Sequence, residues 1–131
     1  DQVKAASKSL GNLVYVIGNA GICNGKSFYE LDGSEFETTI RVNFLHNVYL
    51  TRHLYNRILP GGRLVFIASA AGLFSLTKLS DYCASKFALV GWSESLRLEM
   101  RNSRSPVRTT IVCPFLMDTK MFSGVTVRFD L

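Results

Sequence analysis

The chain has 131 residues, of which 47% are hydrophobic and 19% charged, and its formal net charge is +5 at pH 7. These values predict one globular domain and exclude a disordered or low-complexity chain. The basic residues form no block and have no aromatic residues interleaved, which argues against nucleic-acid binding, and no apolar run approaches the roughly 18 residues of a membrane span.

The first two predicted elements are a helix and a strand. Residues 1–10 are predicted to be helical, and residues 13–17 form a continuous apolar run rich in β-branched and aromatic side chains. Glycine and asparagine bound this run on both sides, so we expect a strand that is buried on both faces. A loop containing Gly21 and Gly25 follows it.

A long helix is predicted next, over residues 34–58. Ser34 is the expected N-cap, and Glu35 and Glu37 in the first turn favour a helix start. Apolar residues recur every four positions and predict the buried stripe of this helix: Phe36, Ile40, Phe44 and Val48. The Pro-Gly-Gly sequence at residues 60–62 is expected to end the helix in a turn.

A strand, a helix and a further strand complete the pattern. Residues 64–68 and 107–112 are predicted to be buried strands, and the small and polar stretch after the first of them is a loop. Asp81 is expected to cap a helix that covers residues 82–102. Trp92 on this helix is expected in the core or in an interface rather than in contact with a ligand.

The alternation of strands and helices predicts an α/β fold of the Rossmann-like, doubly wound kind, with a parallel sheet covered by helices. A helix ahead of the first strand implies a further strand before it, so we expect residues 1–131 to form one incomplete domain of this fold. In such sheets, ligands bind beyond the carboxyl ends of the strands.

The cysteines and histidines do not predict a metal site. Three cysteines at wide spacing, Cys23, Cys83 and Cys113, lack any C-x-x-C motif, and both histidines lie far from them in sequence. This pattern is typical of reduced intracellular thiols rather than of a disulfide framework or a zinc site.

The strongest chemical signal is Ser69, followed after twelve residues by Tyr82 and then by Lys86. A Tyr and a Lys four residues apart share one helix face. A free phenol has a pKa near ~10, and an adjacent ammonium favours the tyrosinate, so the pair predicts a phenol that exchanges protons near neutral pH. Ser69, at a strand end, can hydrogen-bond the same substrate oxygen. The alternative is an ordinary half-buried Tyr and a solvated Lys.

Further motifs accompany these residues in order along the chain. Asn19-Ala20-Gly21 follows the first strand, Asn43 lies in the long helix, and Pro114 and Thr119 follow the third strand. Together they resemble the short-chain dehydrogenases/reductases over nearly the whole chain. That family has an N-N-A-G motif, a tetrad of Asn, Ser, Tyr and Lys, and a P-G-x-x-x-T stretch at these places.

The resemblance implies roles for the tetrad. Tyr82 is the acid/base, Lys86 lowers its pKa and holds the nicotinamide ribose, and Ser69 hydrogen-bonds the substrate oxygen. Asn43 holds a water that relays a proton from Lys86 to solvent, or else is a polar helix residue bonded to backbone. No metal is implied.

The resemblance also implies NAD or NADP as the cofactor. The implied binding residues are Asn19, Ala20, Gly21, Val42, Tyr82, Lys86, Pro114 and Thr119. The family's N-terminal dinucleotide half, with its Gly-rich turn and the residue that selects NAD or NADP, and the family's C-terminal end are expected to lie outside these residues. Gly18 stands where the family usually has Asn, which predicts weaker hydrogen bonding at that sheet edge.

Residues 81–88 and 109–115 resemble the branch that contains retinol dehydrogenase 10, epidermal retinol dehydrogenase 2 and the 17-beta-hydroxysteroid dehydrogenases 11 and 13. This implies a lipophilic substrate, retinoid- or steroid-like, and an intracellular location at the endoplasmic reticulum membrane or lipid droplets. The family also implies a homodimer through the long helices, for which the small residues Ala84, Ala88 and Gly91 leave room. Packing of that face within one chain is the alternative.

Two functions follow as expectations. The first is an oxidoreductase that transfers a hydride between a nicotinamide cofactor and a lipophilic alcohol, ketone or aldehyde, although residues 1–131 alone are expected to be inactive. The second is a non-catalytic fragment or splice form that serves as an interaction or dimerisation module. Either way, a three-stranded sheet without its neighbours is expected to expose apolar surface and to be marginally stable.

Overall fold

The computed structural model describes residues 2–115, apart from the side chains of residues 2 and 3. In chain order these residues form α1 (Gln2–Ser7), β1 (Leu13–Gly18), α2 (Gly33–Ile40), a π-helical segment (Arg41–Leu45), α3 (His46–Leu54), a 3-10 turn (Tyr55–Arg57), β2 (Ile58–Ile67), a second 3-10 turn (Ala70–Gly72), α4 (Ser80–Asn102) and β3 (Arg108–Val112). The three strands are parallel, in spatial order β1-β2-β3. The predicted α/β class and parallel sheet are confirmed.

The core lies on one face of this sheet. Leu64 and Phe66 of β2 are fully buried, and helices α3 and α4 cover them with residues such as Leu54 and Leu89. Trp92 packs with its ring centroid 5.1 Å from that of Phe66, which confirms its expected place in the core. No helix within residues 2–115 is both long and apolar enough to cross a bilayer.

The other face of the sheet is open. Tyr15 and Ile17 of β1 are 59% and 58% exposed, and Val112 of β3 is 40% exposed. The prediction that β1 is buried on both faces is therefore wrong for the described residues, since no helix among them covers this face. The expected exposure of apolar sheet surface is confirmed.

The long helix differs from its prediction at its start. Asp32, not Ser34, is the N-cap: its carboxylate accepts from Ser34 N at 2.8 Å, while Glu35 Oε2 accepts from Asp32 N at 3.0 Å. This reciprocal pair is a capping box, which satisfies two backbone donors at once and so outcompetes a cap at Ser34.

The buried stripe of the same helix is polar. The predicted apolar residues, among them Phe36 and Phe44, are only half-buried. The positions that point into the protein recur every four residues through the π-helical segment and are at most 7% exposed: Thr39, Asn43, Asn47 and Thr51. The predicted stripe is therefore not the most buried face of the helix, since Thr39 and Asn43 on that face bond to groups of other elements. Phe44 packs against the core as a half-buried residue.

Strand β2 begins six residues earlier than predicted, at Ile58, since the helix ends at Leu54. The Pro-Gly-Gly segment lies inside the strand as a bulge, because residues 59–62 stand opposite the one β1 residue between the paired positions. Gly61 N donates to Pro106 O at 2.9 Å, which fixes the bulge against the start of β3. The predicted turn is therefore wrong.

Candidate active site

The carboxyl ends of the three strands meet at one edge of the sheet. Ala68 N donates to Val112 O, and Ala70 N donates to Pro114 O, both at 2.8 Å. These bonds hold the segment after β2, which contains Ser69, beside the segment after β3. The edge is thus the place where a doubly wound sheet is expected to bind ligands.

Ser69 and Tyr82 lie together at this edge. Ser69 Oγ accepts from Ala71 N at 3.1 Å and so caps the 3-10 turn that follows β2. Tyr82, in the first turn of α4, is hydrogen-bonded to Ser69 and is only 4% exposed. The serine hydroxyl and the phenol can therefore act on one oxygen of a substrate.

Lys86 lies one turn further along α4, on the same face as Tyr82. Its Nζ donates to Ile67 O at 3.0 Å and sits 5.5 Å from the centroid of the Tyr82 ring. Burial lowers the pKa of Lys86 to about 8, since the charged amine loses water that the surrounding groups do not replace. The amine therefore changes charge close to neutral pH.

The expected lowering of the Tyr82 pKa is not found. Burial raises the pKa of Tyr82, and the hydrogen bond with Ser69 opposes that shift only partly. Lys86 is not among the groups that shift the pKa of the phenol, and its Nζ lies over the ring and donates to Ile67 O. In this arrangement, Tyr82 is a protonated phenol at neutral pH.

Asn43 clamps the loop after β1. Its Oδ1 accepts from Ile22 N at 2.8 Å, and its Nδ2 donates to Ile22 O and to Ser85 Oγ, each at 3.0 Å. Both polar atoms of the side chain are engaged, which matches the alternative of a helix residue bonded to backbone. A proton relay through Asn43 stays a prediction.

Gly21 brings this loop close to the site. A Cβ on Gly21 would lie 3.4 Å from Asn43 Oδ1 and 3.6 Å from Lys86 Nζ. The loop backbone therefore passes next to the amine, where a side chain would crowd it. Asn19 and Ala20 are exposed.

The remaining implied binding residues are placed less tightly. Val42 and Pro114 are both half-buried. Thr119 lies outside the described residues.

Sequence reasoning missed a buried carboxylate next to the site. Asp81 is not the cap of α4 but its second residue, with Leu79 at the cap position. It is fully buried, and its Oδ2 accepts from Thr39 Oγ1 at 2.7 Å and from Asn24 Nδ2 at 2.8 Å. In the sequence, only its position directly before Tyr82 could indicate a buried residue of the site. The same position is equally typical of a helix cap. Asp81 thereby ties α4 to α2 and to the loop after β1.

Within residues 2–115, no group of three or more His, Cys, Asp and Glu residues lies close enough together to bind a metal ion. Cys23, Cys83 and Cys113 are not joined by disulfides. Burial raises the pKa of Cys23 and of Cys83, which disfavours their reactive thiolate forms.

Comparison with known proteins assigns this arrangement to a family. A family model described as short chain dehydrogenase matches residues 1–127. The epidermal retinol dehydrogenase 2 of Homo sapiens is 41% identical over 133 residues, with 96% of the chain and 41% of that protein covered. The retinol dehydrogenase 10 of Homo sapiens is 36% identical over 127 residues, with 95% of the chain and 37% of that protein covered. The chain thus spans about two fifths of the length of these curated relatives.

Solved structures show the same fold. A short chain dehydrogenase/reductase from Burkholderia phymatum, in complex with NAD, superposes with a TM-score of 0.85 at 27% identity, over 93% of this chain and 46% of that one. The aldohexose dehydrogenase of Thermoplasma acidophilum, in ligand-free form, superposes with a TM-score of 0.85 at 25% identity. The superposition covers 95% of this chain and 50% of that one. These likenesses confirm the Rossmann-like fold.

Proposed function

Because the chain belongs to the short-chain dehydrogenase family, we propose that the protein containing it is a nicotinamide-dependent oxidoreductase that interconverts an alcohol and a carbonyl compound. The observation that carries the proposal is the assembly of Ser69, Tyr82 and Lys86 at the carboxyl edge of the sheet. These residues come from two separate elements, and the fold brings their polar groups to one place. The alternative of a non-catalytic module has no comparable support in the described residues.

The same edge fits a nicotinamide cofactor. Gly21 lacks a side chain where one would approach Lys86 Nζ, so the loop backbone leaves room beside the amine. Lys86 and Tyr82 would hold the cofactor from the α4 side, with Asn19, Ala20, Val42, Pro114 and Thr119 assigned as further binding residues from the family resemblance. When bound, NAD or NADP supplies or accepts the hydride.

Tyr82 and Ser69 act on the substrate oxygen. In the reducing direction, the protonated phenol of Tyr82 donates its proton to the oxygen as negative charge develops there. Ser69, already hydrogen-bonded to Tyr82, stabilises that charge with its hydroxyl. In the oxidising direction, the phenol of Tyr82 first releases its own proton to solvent, and the resulting tyrosinate then accepts the hydroxyl proton of the substrate. Lys86 contributes its positive charge beside the ring.

The substrate is a lipophilic alcohol or carbonyl compound. The relatives named retinol dehydrogenase point to this class. The chain adds its own support, because apolar side chains stand exposed beside Ser69: Leu73 and Phe115 are each 59% exposed, and Phe74 is 40% exposed. Phe74 and Phe115 lie with their ring centroids 6.3 Å apart, so the segments after β2 and β3 present one aromatic surface.

Two further parts of the proposal concern partners. A homodimer through the long helices is supported by α4, where Ala84 and Gly91 are exposed and no atom lies within 4 Å of a Cβ placed on Gly91. Association with the endoplasmic reticulum membrane or with lipid droplets rests on the resemblance to the retinol dehydrogenases.

The test is Tyr82→Phe in the full-length protein, assayed with retinol and with a steroid alcohol in the presence of NAD or NADP. Loss of the proton donor is expected to reduce kcat by about a hundredfold to ten-thousandfold. Tyr29→Phe is the matched control, because Tyr29 is 95% exposed, and its kcat should be unchanged. Near-normal turnover of Tyr82→Phe, with an unchanged thermal melt, would remove Tyr82 from the mechanism.

A further inference from the structure

Five arginines surround one cavity at the end of the sheet opposite the candidate active site. The cavity has a volume of about 370 Å³ and is lined by Arg63, Arg97, Arg101, Arg104 and Arg108. Arg108 is the first residue of β3 and pairs with Arg63 in the middle of β2, whereas Ser69 follows the carboxyl end of β2. We call this cavity the arginine pocket.

The sequence hides this cluster because the five residues come from three elements and the turn after α4. Arg97 and Arg101 are four residues apart and share one face of α4, and Arg104 lies in the turn that follows this helix. Arg63 and Arg108 are direct neighbours across the β2–β3 pair. The expectation that the basic residues form no block is correct along the chain but not in space.

The charges of the arginine pocket are poorly compensated. Arg97 Nε donates to Glu94 at 2.9 Å, and Arg63 Nη1 donates to Thr110 Oγ1 at 2.8 Å. The other three arginines form no ion pair with a carboxylate of residues 2–115. The hydrogen bond from Arg97 lowers the pKa of the Glu94 carboxyl, and the charge of Arg101 adds to this shift only from a distance. Arg63 and Arg108 are paired on neighbouring strands, and like charges placed directly opposite each other destabilise a sheet.

The backbone at Arg104 also departs from the least costly choice. Arg104 has φ +55°, a left-handed conformation that glycine or asparagine adopts at lower cost. Ser105 N donates to Met100 O at 2.9 Å and holds this turn at the end of α4. The chain thus has an arginine at a position where the left-handed backbone of the turn favours glycine.

We propose that the arginine pocket binds a polyvalent phosphate ester. The planar fork of guanidinium donors matches phosphate oxygens two at a time, and several such groups around one concave site favour clustered phosphates. A cavity of about 370 Å³ suits one phosphorylated headgroup or small molecule rather than a nucleic-acid duplex. The same chemistry is found in a phosphoinositide lipid and in its soluble headgroup. The proposal does not rest on the oxidoreductase function, because the pocket lies at the opposite end of the sheet.

The test uses the full-length protein saturated with NAD and NADP, so that any dinucleotide site is blocked. Inositol trisphosphate is titrated by calorimetry into the wild type, into Arg101→Gln/Arg104→Asn, and into the control Lys8→Gln/Arg52→Gln. The control removes the same number of charges from exposed positions outside the pocket. The Asn at position 104 tolerates the left-handed backbone. We expect the pocket variant to bind at least tenfold more weakly and the control to bind within twofold of the wild type.

Vesicles distinguish the two sources of the phosphate. Phosphatidylcholine vesicles with phosphatidylinositol bisphosphate are compared with phosphatidylcholine alone, with and without competing inositol trisphosphate. Vesicle binding that inositol trisphosphate displaces identifies the lipid as the ligand. Binding of inositol trisphosphate without any vesicle binding identifies the soluble ester. The proposal is overturned if the wild type binds neither probe, if both variants lose binding equally, or if duplex DNA competes as well as inositol trisphosphate does.

Discussion

The buried amine of Lys86 links the candidate site to the stability of the fold. Burial lowers its pKa from 10.5 to about 8, whereas unfolding returns the amine to water. Below pH 8 the amine is charged in both states, so the folded state bears the full cost of desolvation. Between pH 8 and 10.5 the folded state releases the proton and the unfolded state keeps it, so the free energy of unfolding rises with pH there.

Lys86→Met should therefore stabilise the full-length protein at pH 7. A gain of about 2 kcal/mol is expected, because removing the desolvation cost outweighs the lost hydrogen bond to Ile67 O. The gain should shrink as the pH rises from 8 to 10, which denaturant unfolding at several pH values measures. Lys8→Met, at an exposed position, should show neither effect. Destabilisation of Lys86→Met at pH 7, or a gain in stability that does not vary with pH, would show that burial of the charged amine does not destabilise the fold.

Gly18 and Asn47 occupy one space between β1 and α3. A Cβ on Gly18 would lie 1.8 Å from Asn47 Oδ1, so a side chain at position 18 and the present position of this amide exclude each other. Asn47 is 1% exposed, and its Nδ2 donates to Asn43 O at 2.9 Å. The family usually has Asn at position 18. In this chain, the side-chain amide of Asn47 from the neighbouring helix fills the space beside Gly18.

Gly18→Ala should destabilise the full-length protein by about 1–3 kcal/mol, because the new methyl group displaces the Asn47 amide from Asn43 O. Adding Asn47→Ala should recover a large part of this loss, and a double-mutant cycle measures the coupling. Gly33→Ala is the control, since a Cβ there meets no atom within 4 Å. Additive effects of the two changes would show that the two residues do not compete for space.

At the scale of elements, contacts that are local in sequence are the predictable ones. The strand start at Leu13 follows from an apolar run, and the shared face of Tyr82 and Lys86 follows from helical spacing. The sequence predicts a cap at Asp81 because its hydrogen-bond partners Asn24 and Thr39 lie 57 and 42 residues away, and no local pattern indicates them.

The bulge in β2 shows the same limit. Residues 60–62 carry a strong local turn signal, but they form a bulge inside the strand. The strand continues through the bend because Ile58 pairs with Leu13 and Gly61 N bonds to Pro106 O. Leu13 and Pro106 lie far from this segment in sequence. Tertiary pairing with them therefore decides where the helix ends and the strand begins.

At the scale of the whole molecule, the candidate site and the open sheet face have different origins. The sequence predicts Ser69, Tyr82 and Lys86 as site residues, but the predicted lowering of the Tyr82 pKa is wrong, since the shift depends on burial by everything that packs around α4. The open face follows from the fold: Tyr15 and Ile17 flank the buried Val16 of β1, and no helix among the described residues covers them. Apolar strand surface of this kind favours association between chains.

Residues 1–131 expressed alone should therefore aggregate and should lack a sharp, cooperative thermal transition. Replacing Tyr15 and Ile17 together by Lys should suppress aggregation, because charges on this face oppose strand-to-strand and face-to-face association. Replacing Phe28 and Tyr29 by Lys is the matched control: these residues are 70% and 95% exposed but belong to a loop, so their replacement adds the same charge without protecting the sheet. Light scattering during heating, with circular dichroism to follow secondary structure, separates the variants. A monomer of the unmodified chain that unfolds cooperatively, or equal protection by both pairs, would show that the open face of the sheet is not the surface that drives association.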